Sequence, residues 1–339
     1  MGDAGADDPT MTVAGWRQLA PWQLLAVLGA AAVAAFLISL VTGPTGLGIN
    51  AAGEARLLIF REIRLPRAIL GALIGGALGL SGAVLQGYLR NPLAEASLLG
   101  VSGGAALGAV VAIQLGLSQL FALAVPIGGL IGALAAMFGV IALAGLRAGA
   151  IAMLLAGLAV SSIATALISL VLNLAHNPFA AVEMVFWLMG SLADRSLPQV
   201  WLAAPLMLAG MAILLFVGRA LDALTLGEDA ALSLGIDLAH TRWAVIVGTA
   251  LSVGAATAVT GVIGFIGLII PHALRPLAGH RPSLLLPASL LAGAGMLLMA
   301  DVALRLMRPW VELRIGVLTA LLGAPFFIWL VVRTRRELS

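Results

Sequence analysis

The sequence contains no cysteine and no lysine. Without cysteine, the chain cannot form a disulfide framework, a thiolate metal site or a cysteine nucleophile. All 18 basic residues are arginines, so neither a lysine-containing P-loop nor a Schiff-base lysine can exist here. If ATP drives this protein, the ATPase is therefore another chain, and ATP and Mg²⁺ bind there.

Charged side chains are also scarce, because they make up 10% of the 339 residues while 62% are hydrophobic. Soluble domains carry about 25% charged residues, so the composition indicates an all-α, polytopic membrane protein. A membrane span needs roughly 20 apolar residues. Such ranges are found at 22–42, 68–87, 97–116, 120–145, 149–174, 200–218, 284–304 and 315–332.

The remaining apolar range, 243–278, is too long for one span. Its glycines and a proline predict two segments, the second short or broken, because backbone irregularity inside a membrane concentrates at such residues. These breaking residues are Gly261, Gly264, Gly267 and Pro271. About ten spans result, with both termini on one side.

Two stripes of small residues predict close helix packing. They are Gly71, Gly75 and Gly79, and Gly128, Gly132 and Ala136.

Arginine placement predicts the orientation. Arg17 and the cluster at 333–336 lie at the two ends of the chain, which the positive-inside rule assigns to the cytoplasm. We therefore expect a cytoplasmic tail over 1–20, a membrane domain over 21–333 surrounded by lipid, and a cytoplasmic tail over 334–339. The acidic N-terminus does not look like a signal peptide, and the scattered arginines do not predict nucleic-acid binding.

Seven arginines break this rule, since the predicted topology puts them outside. They are Arg56, Arg61, Arg64, Arg67, Arg305, Arg308 and Arg314. One interpretation is that Glu54, Glu62 and Glu312 neutralise some of them. The other is a basic outer face that receives an acidic partner. The residue pattern alone leaves both open.

One long polar segment, 219–242, interrupts the apolar chain on the predicted cytoplasmic side. Thr225 followed by Glu228 is a capping-box pattern, and Gly235 is a typical stop after a helix C-terminus. The helix between them has only about two and a half turns and is too short to be stable alone. Leu226, Ala230 and Leu234 share one face of it, so we expect it to dock on its own membrane domain or on a partner.

The other candidates for chemistry are few. His272 and Arg275 share a helical face, which suits either a proton relay or a structural role, and we favour the latter. Asp301 could couple an ion, but Arg305 one turn later offers an ion-pair partner. An ion-coupled secondary transporter or an intramembrane enzyme would need more buried carboxylates or a catalytic constellation. Without cysteine or clustered histidine, no metal site is expected in this chain.

Short motifs between about residues 60 and 330 make the chain resemble the FecCD family of ABC importer permeases, which import iron–siderophore complexes, haem and cobalamin. The motifs are Arg64-Leu-Pro-Arg67, Ser81-Gly-Ala-Val-Leu-Gln86, Arg90-Asn-Pro-Leu-Ala94, Leu99-Gly-Val-Ser-Gly-Gly-Ala105, Phe186-Trp-Leu-Met-Gly-Ser191, Leu224-Thr-Leu-Gly-Glu228, Gly264-Phe-Ile-Gly-Leu-Ile-Ile-Pro-His272, Ala300-Asp-Val-Ala-Leu-Arg305 and Gly323-Ala-Pro-Phe-Phe327. Together, in the family's order, they are highly specific.

The resemblance implies a type II ABC importer fold of ten helices per subunit, paired as a homodimer or with a related permease. It also implies a place in the bacterial inner membrane, cytoplasmic ATPase subunits, a periplasmic substrate-binding protein and no cofactor in this chain. The polar segment then corresponds to the loop that couples to the ATPase, through Leu226, Gly227, Glu228, Ala231 and Gly235. The resemblance assigns binding-protein docking to Arg64, Arg67 and Arg305. Pathway or structural motif positions are Gln86, Asn91, Pro92, Gly264, Pro271 and His272.

The cargo is less determined by these motifs. A ferric siderophore or haem is our first expectation because iron chelates are the family's commonest cargo, and cobalamin is the alternative.

The sequence also departs from the family's motifs at two places. Glu95-Ala96-Ser97 replaces an acidic-Pro-Gly turn, which predicts a looser or more helical entry to the next helix. Leu313-Arg314-Ile315-Gly316 replaces Leu-Pro-x-Gly and adds an outer arginine.

Overall fold

Helices form almost all of the chain that the structure, a computed structural model, describes: residues 20–43, 46–48, 53–145, 149–307 and 313–338. The helices are α1 (Pro21–Val41), α2 (Glu54–Leu58), α3 (Leu65–Tyr88), α4 (Val101–Gln114), α5 (Ala124–Ala144), α6 (Ala150–Asn173), α7 (Pro178–Leu188), α8 (Leu197–Phe216), α9 (Gly218–Leu224), α10 (Glu228–Ser233), α11 (Leu238–Thr260), α12 (Ile266–Leu274), α13 (Pro282–Met307) and α14 (Ile315–Leu338). A π-helical stretch, Ile59–Arg64, joins α2 to α3. Two antiparallel strands of two residues each, β1 (Thr42–Gly43) and β2 (Gly46–Leu47), follow α1. The all-α class is confirmed.

Some predicted features lie outside the described residues. These are the N-terminal tail up to residue 19 with its Arg17, then Arg308 and Glu312, and the side chains of the arginines at 333–336.

Seven stretches of helix in the described chain are long and apolar enough to cross a membrane. Three shorter apolar helices accompany them, at 101–114, 178–188 and 315–330. The ten predicted spans correspond to α1, α3, α4, α5, α6, α8, α11, α12, α13 and α14, which agrees with the expectation of about ten. The predicted break is confirmed, because α11 ends at Thr260, Gly261 has a φ of 76°, and the nine-residue α12 starts at Ile266.

Helix α7 was not predicted as a separate element. Its sequence does contain a start signal, since the Asn177 side chain accepts a hydrogen bond from the backbone N–H of Phe179 and Pro178 occupies the first turn. Eleven residues are too few for the length criterion that identified the spans. A pattern based on span length therefore misses a helix that does not cross the bilayer alone.

The core is organised around α3, whose apolar stretch is 83% buried. Glycine makes this possible, because a Cβ atom at Gly75 would overlap the carbonyl oxygen of Gly293 on α13. The second predicted stripe works in the same way, since a Cβ at Gly128 on α5 would crowd the carbonyl of Gly108 on α4. Both stripes therefore pack helices backbone to backbone, as predicted.

Candidate functional site

An ion triad joins α3 to α13 at the predicted outer end. The Nη2 of Arg67 lies 2.7 Å from Oδ1 of Asp301, and its Nε lies 3.0 Å from both carboxylate oxygens. Nη2 of Arg305 lies 3.0 Å from Oδ2 of the same aspartate. The predicted Asp301–Arg305 pair is confirmed, and Arg67 is an unpredicted third member. Asp301 is only 1% exposed, so both oxygens are committed to these arginines.

Arg305 of this triad and the nearby Arg64 hold the end of α1. Arg305 donates from Nη1 to the carbonyl oxygens of Ser39 and Thr42, each at 2.8 Å. Arg64 donates to the carbonyl oxygens of Leu40 at 2.9 Å and Gly48 at 2.6 Å. The last carbonyls of a helix lack intrahelical partners and carry partial negative charge, so guanidinium groups satisfy them well. We call Arg64, Arg67, Asp301 and Arg305 the arginine cluster. Its docking role stays a prediction, and each guanidinium already has an internal partner.

A cavity of about 220 Å³ adjoins the arginine cluster, between α3, the α7–α8 linker, α13 and the start of α14. The guanidinium carbon of Arg314 lies 5.0 Å from the ring centroid of Phe186 on α7, which is a cation–π geometry. Arg195 follows Asp194 in the nearby linker, and burial lowers its pKa to about 10, with Asp194 opposing this shift and Arg314 adding to it. Positive charge is therefore concentrated at this end.

Gln86 links α3 to α12 near the other end of α3. Pro271 has no N–H, so it leaves the carbonyl of Gly267, four residues earlier, without its helical donor. The Nε2 of Gln86 supplies one at 3.2 Å, and its Oε1 accepts a hydrogen bond from Nη2 of Arg275 at 2.8 Å. The two backbones touch beside it, since a Cβ at Gly82 would overlap Gly267. The motif positions Gln86 and Pro271 thus belong to one contact.

The turn after α3 contains the Asn91-Pro92 motif. Oδ1 of Asn91 accepts a hydrogen bond from the N–H of Leu93 at 2.9 Å, so this dipeptide shapes the turn as expected. The departure at Glu95-Ala96-Ser97 forms a short 3₁₀ helix, Ala96–Leu99, in agreement with the more helical of the two expectations.

Glu95 is a residue that the sequence reasoning did not single out for contact. Its Oε1 accepts a hydrogen bond from the N–H of Phe265 at 2.7 Å. Phe265 has a φ of 68°, an uncommon conformation for a non-glycine residue, and it follows the motif residue Gly264. The Phe265 ring fills the space that a side chain at Gly323 of α14 would need. Glu95 thus holds the turn that starts α12.

His272 ties α12 to α14. Its ring lies edge-on to Phe326, with centroids 5.6 Å apart and planes at 75°. This contact agrees with the structural role that we favoured for this histidine. Among the described residues, no group of three or more His, Asp or Glu side chains could hold a metal ion.

The polar segment contains two short helices, α9 and α10. The predicted capping box is wrong, because Gly227 rather than Thr225 is the N-cap of α10. Gly227 has a φ of 112° and a ψ of 160°, a region that only glycine enters readily, and the Thr225 hydroxyl donates to the carbonyl of Asp222 instead. The helix is therefore shorter than expected and starts at Glu228.

The end of α10 was predicted correctly. Gly235 has a φ of 79°, and the N–H of Ile236 donates to the carbonyl of Ala231 at 3.0 Å, which closes the helix as a Schellman motif does. Ala231 is fully buried, and Oδ1 of Asp222 accepts the N–H of Ser283 at the start of α13. The segment therefore docks on its own membrane domain.

Three leucines of the polar segment point away from that domain. Leu226 is 71% exposed, Leu232 54% and Leu234 63%. Glu228 and Asp229, in the first turn of α10, are exposed next to them. The predicted shared face of Leu226, Ala230 and Leu234 is thus largely solvent-facing, and Ala231 is the residue buried against the protein. These leucines are candidates for contact with a partner protein.

A model of the FecCD transport family matches residues 23–333 of the chain. The chain belongs to the FecCD transport family. The vitamin B12 import system permease protein BtuC of Klebsiella pneumoniae is 41% identical over 308 residues, which cover 88% of this chain and 90% of that protein. The uncharacterized ABC transporter permease protein YvrB of Bacillus subtilis is 40% identical over 283 residues, covering 82% and 80%.

A solved structure is similar to this FecCD chain over nearly its whole length. It is described as an inward-facing conformation of a metal-chelate type ABC transporter; the TM-score is 0.82, with 33% identity, and the match covers 91% of this chain and 99% of that one. The resemblance read from the short motifs is confirmed. This FecCD protein is a multi-pass membrane permease subunit of an ABC importer.

Proposed function

We propose that this FecCD permease forms the membrane pathway of an importer that carries a cobalamin-type metal chelate from the periplasm to the cytoplasm. The observation that carries the choice of cargo is the 40–41% identity to vitamin B12 import permeases across about nine-tenths of both chains. The motifs alone made a ferric siderophore or haem the first expectation. An iron chelate is the second candidate, supported by the metal-chelate type transporter of similar structure.

The exposed leucines of the polar segment form the proposed ATPase-binding surface. Leu226, Leu232 and Leu234 face solvent beside the acidic first turn of α10, while Ala231 anchors the helix. A partner that covers these leucines gains hydrophobic free energy. Because the membrane domain already buries the opposite side of the segment, movement of α10 by the partner would act on α9 and, through Asp222, on α13. ATP and Mg²⁺ belong to the ATPase subunits.

A second permease, either another copy or a related chain, is proposed to cover the face formed by α6. The apolar stretch of α6 is 22% buried; because that of α1 is only 17% buried, the choice of α6 rests on its polar residues. Three hydroxyl residues, Ser162, Thr165 and Ser169, are exposed along it, and each donates to the carbonyl four residues before it. We place the transport pathway between the two permeases, along this row of hydroxyls. Because each hydroxyl already donates to a backbone carbonyl, the row would offer a bulky chelate weak polar contacts and would not bind it tightly.

The proposed orientation puts both termini and the polar segment in the cytoplasm and the arginine cluster in the periplasm, where a substrate-binding protein docks. This orientation follows the positive-inside rule at the chain ends. The arginine cluster is an exception to that rule, and its internal contacts stabilise it, because Arg67 and Arg305 share Asp301 while Arg64 donates to backbone carbonyls.

Transport by the purified complex tests the proposal. The permease is reconstituted in liposomes with its ATPase and substrate-binding protein, and uptake of radiolabelled cyanocobalamin, a ferric siderophore and haemin is compared with and without ATP. We expect ATP-dependent uptake of cyanocobalamin. Uptake of an iron chelate but not of cyanocobalamin would show that the second candidate is the cargo. Uptake without the ATPase would refute the ATP-driven importer mechanism.

A further inference from the structure

The cavity beside the arginine cluster has an uncompensated positive charge. Three arginines and two aspartates line it, namely Arg67, Arg305, Arg314, Asp194 and Asp301. Its volume of about 220 Å³ is smaller than the roughly 300–1,000 Å³ of pockets that hold a small-molecule ligand. The cavity therefore suits a single side chain rather than a metal chelate.

Two of the three arginines are committed. Arg67 and Arg305 share both oxygens of the buried Asp301. Arg314 has weaker contacts, namely the face of Phe186 at 5.0 Å and the Ser191 hydroxyl at 3.5 Å. Within the described parts of the chain, no carboxylate lies within ion-pair distance of Arg314. This half-buried guanidinium is thus held in position without a counter-charge.

We propose that Arg314 receives a carboxylate from an acidic side chain of the protein that docks on this face, an inference that rests on the proposed function. A guanidinium fork matches a carboxylate with two parallel hydrogen bonds. A phosphate fits less well, because the two aspartates of the cavity would repel a second negative charge. Arg314 then adds an intermolecular contact at the face where the resemblance assigns docking to Arg64, Arg67 and Arg305.

The position of Arg314 gives this contact a mechanical consequence. The residue immediately precedes α14 and stacks on α7. Phe186 limits the rotamers of the guanidinium, so the carboxylate meets a donor that is already oriented. An acidic side chain bound here connects the docked protein to both helices at once.

Binding of the purified substrate-binding protein to the permease in nanodiscs tests the role of Arg314. Loss of one charge-assisted hydrogen-bonded contact predicts about a tenfold weaker Kd for Arg314→Gln. Arg56→Gln is the matched control, because it removes the same charge from an exposed site on α2 at this end. Equal weakening by both variants would reduce the effect to general electrostatic attraction and overturn the proposal. Phe186→Leu keeps the charge of Arg314 but removes the stacking, so its Kd for the substrate-binding protein should lie between those of Arg314→Gln and Arg56→Gln.

Arginine footprinting gives a second readout that does not depend on a variant. The wild-type permease is treated with phenylglyoxal, with and without the substrate-binding protein, and modified arginines are identified by mass spectrometry. We expect Arg314 to react and to be protected by docking, while the buried Arg64 and Arg305 stay unreactive in both states. Docking that protects Arg56 or Arg61 but not Arg314 refutes this inference alone. Failure of any such protein to bind the wild-type permease refutes the proposed function and this inference with it.

Discussion

The arginine cluster and the polar segment place their side chains in opposite ways. In the arginine cluster, charged groups turn inward, so that Asp301 is buried between two arginines and Arg64 binds the end of α1. In the polar segment, the small Ala231 is buried while three leucines and two carboxylates face outward. The charged groups of the arginine cluster therefore have internal partners, whereas the leucines of the polar segment are exposed.

This difference shows that residue type alone is a poor guide to which surface binds. Arginines suggest docking and leucines suggest a core, yet the guanidiniums satisfy carbonyls inside the protein and the leucines remain in solvent. Whether a group can bind a partner protein depends on whether it already has a partner inside the fold. Variants of the arginine cluster should therefore change folding, and variants of the polar segment should change association with a partner.

The largest effect is expected at the ion triad. Asp301→Asn leaves the buried Arg305 and the partly buried Arg67 without a counter-charge, which we expect to cost about 3–5 kcal/mol of folding free energy. Thermal unfolding in detergent and the yield of folded protein measure this loss. Asp194→Asn is the matched control, since that aspartate lines the same cavity but is exposed. Equal stability of the two variants would show that the triad does not stabilise the fold.

At the polar segment, Leu226→Ser should weaken association without affecting folding. A buried leucine contributes about 1.5–3 kcal/mol, so affinity for the ATPase subunits should fall at least about tenfold. Co-purification and titration with the ATPase measure the change. Ser233→Ala on α10 is the control and should bind normally. A normal ATPase affinity for Leu226→Ser would exclude this leucine from the proposed interface.

Gly227→Val tests the geometry of the same segment. The φ of 112° disfavours any side chain, at a cost of about 1–3 kcal/mol, although a Cβ there would meet no atom within 4 Å. We expect the start of α10 to move and substrate-stimulated ATP hydrolysis to fall, while docking of the substrate-binding protein is unchanged. Gly235→Asn is the control, because asparagine tolerates a φ of 79°. Wild-type stimulation in Gly227→Val would argue against a coupling role for this turn.

The smallest effect is expected at an exposed ion pair of the predicted outer end. The Nε of Arg61 lies 3.9 Å from Oε1 of Glu62, and the Arg61 side chain is 71% exposed. Such pairs contribute about 0–1 kcal/mol, so Arg61→Gln should leave the unfolding temperature nearly unchanged. A loss as large as that of Asp301→Asn would contradict the distinction between buried and exposed charge drawn above.

Sequence reasoning reached the helices and several contacts but missed those that depend on distant residues. The break after α11 and the stop at Gly235 follow from local backbone preferences, which glycine controls. The Asp301–Arg305 pair follows from helical spacing. The contacts of Arg67 with Asp301 and of Glu95 with Phe265 each join residues more than 160 positions apart. Spacing along the chain could therefore not predict them.

The capping error has a different origin. Thr225 and Glu228 have the spacing of a capping box, but the chain turns through Gly227 with a φ of 112°, and the Thr225 hydroxyl binds the preceding helix α9 instead. Two local hydrogen-bonding arrangements compete here. Burial of Ala231 and the Asp222–Ser283 contact fix the path of the segment around α10, and both are tertiary.

By itself, the sequence determined that this is an all-α membrane permease without a lysine-containing P-loop, because hydrophobic length, the absence of lysine and ordered motifs are properties of the chain. The tertiary structure alone decided which arginines are engaged, that Gln86 supplies the donor that Pro271 removes, and which leucines stay exposed. The physical reason is that a polar or apolar group acts according to the partner it meets, and the packing of distant helices selects that partner.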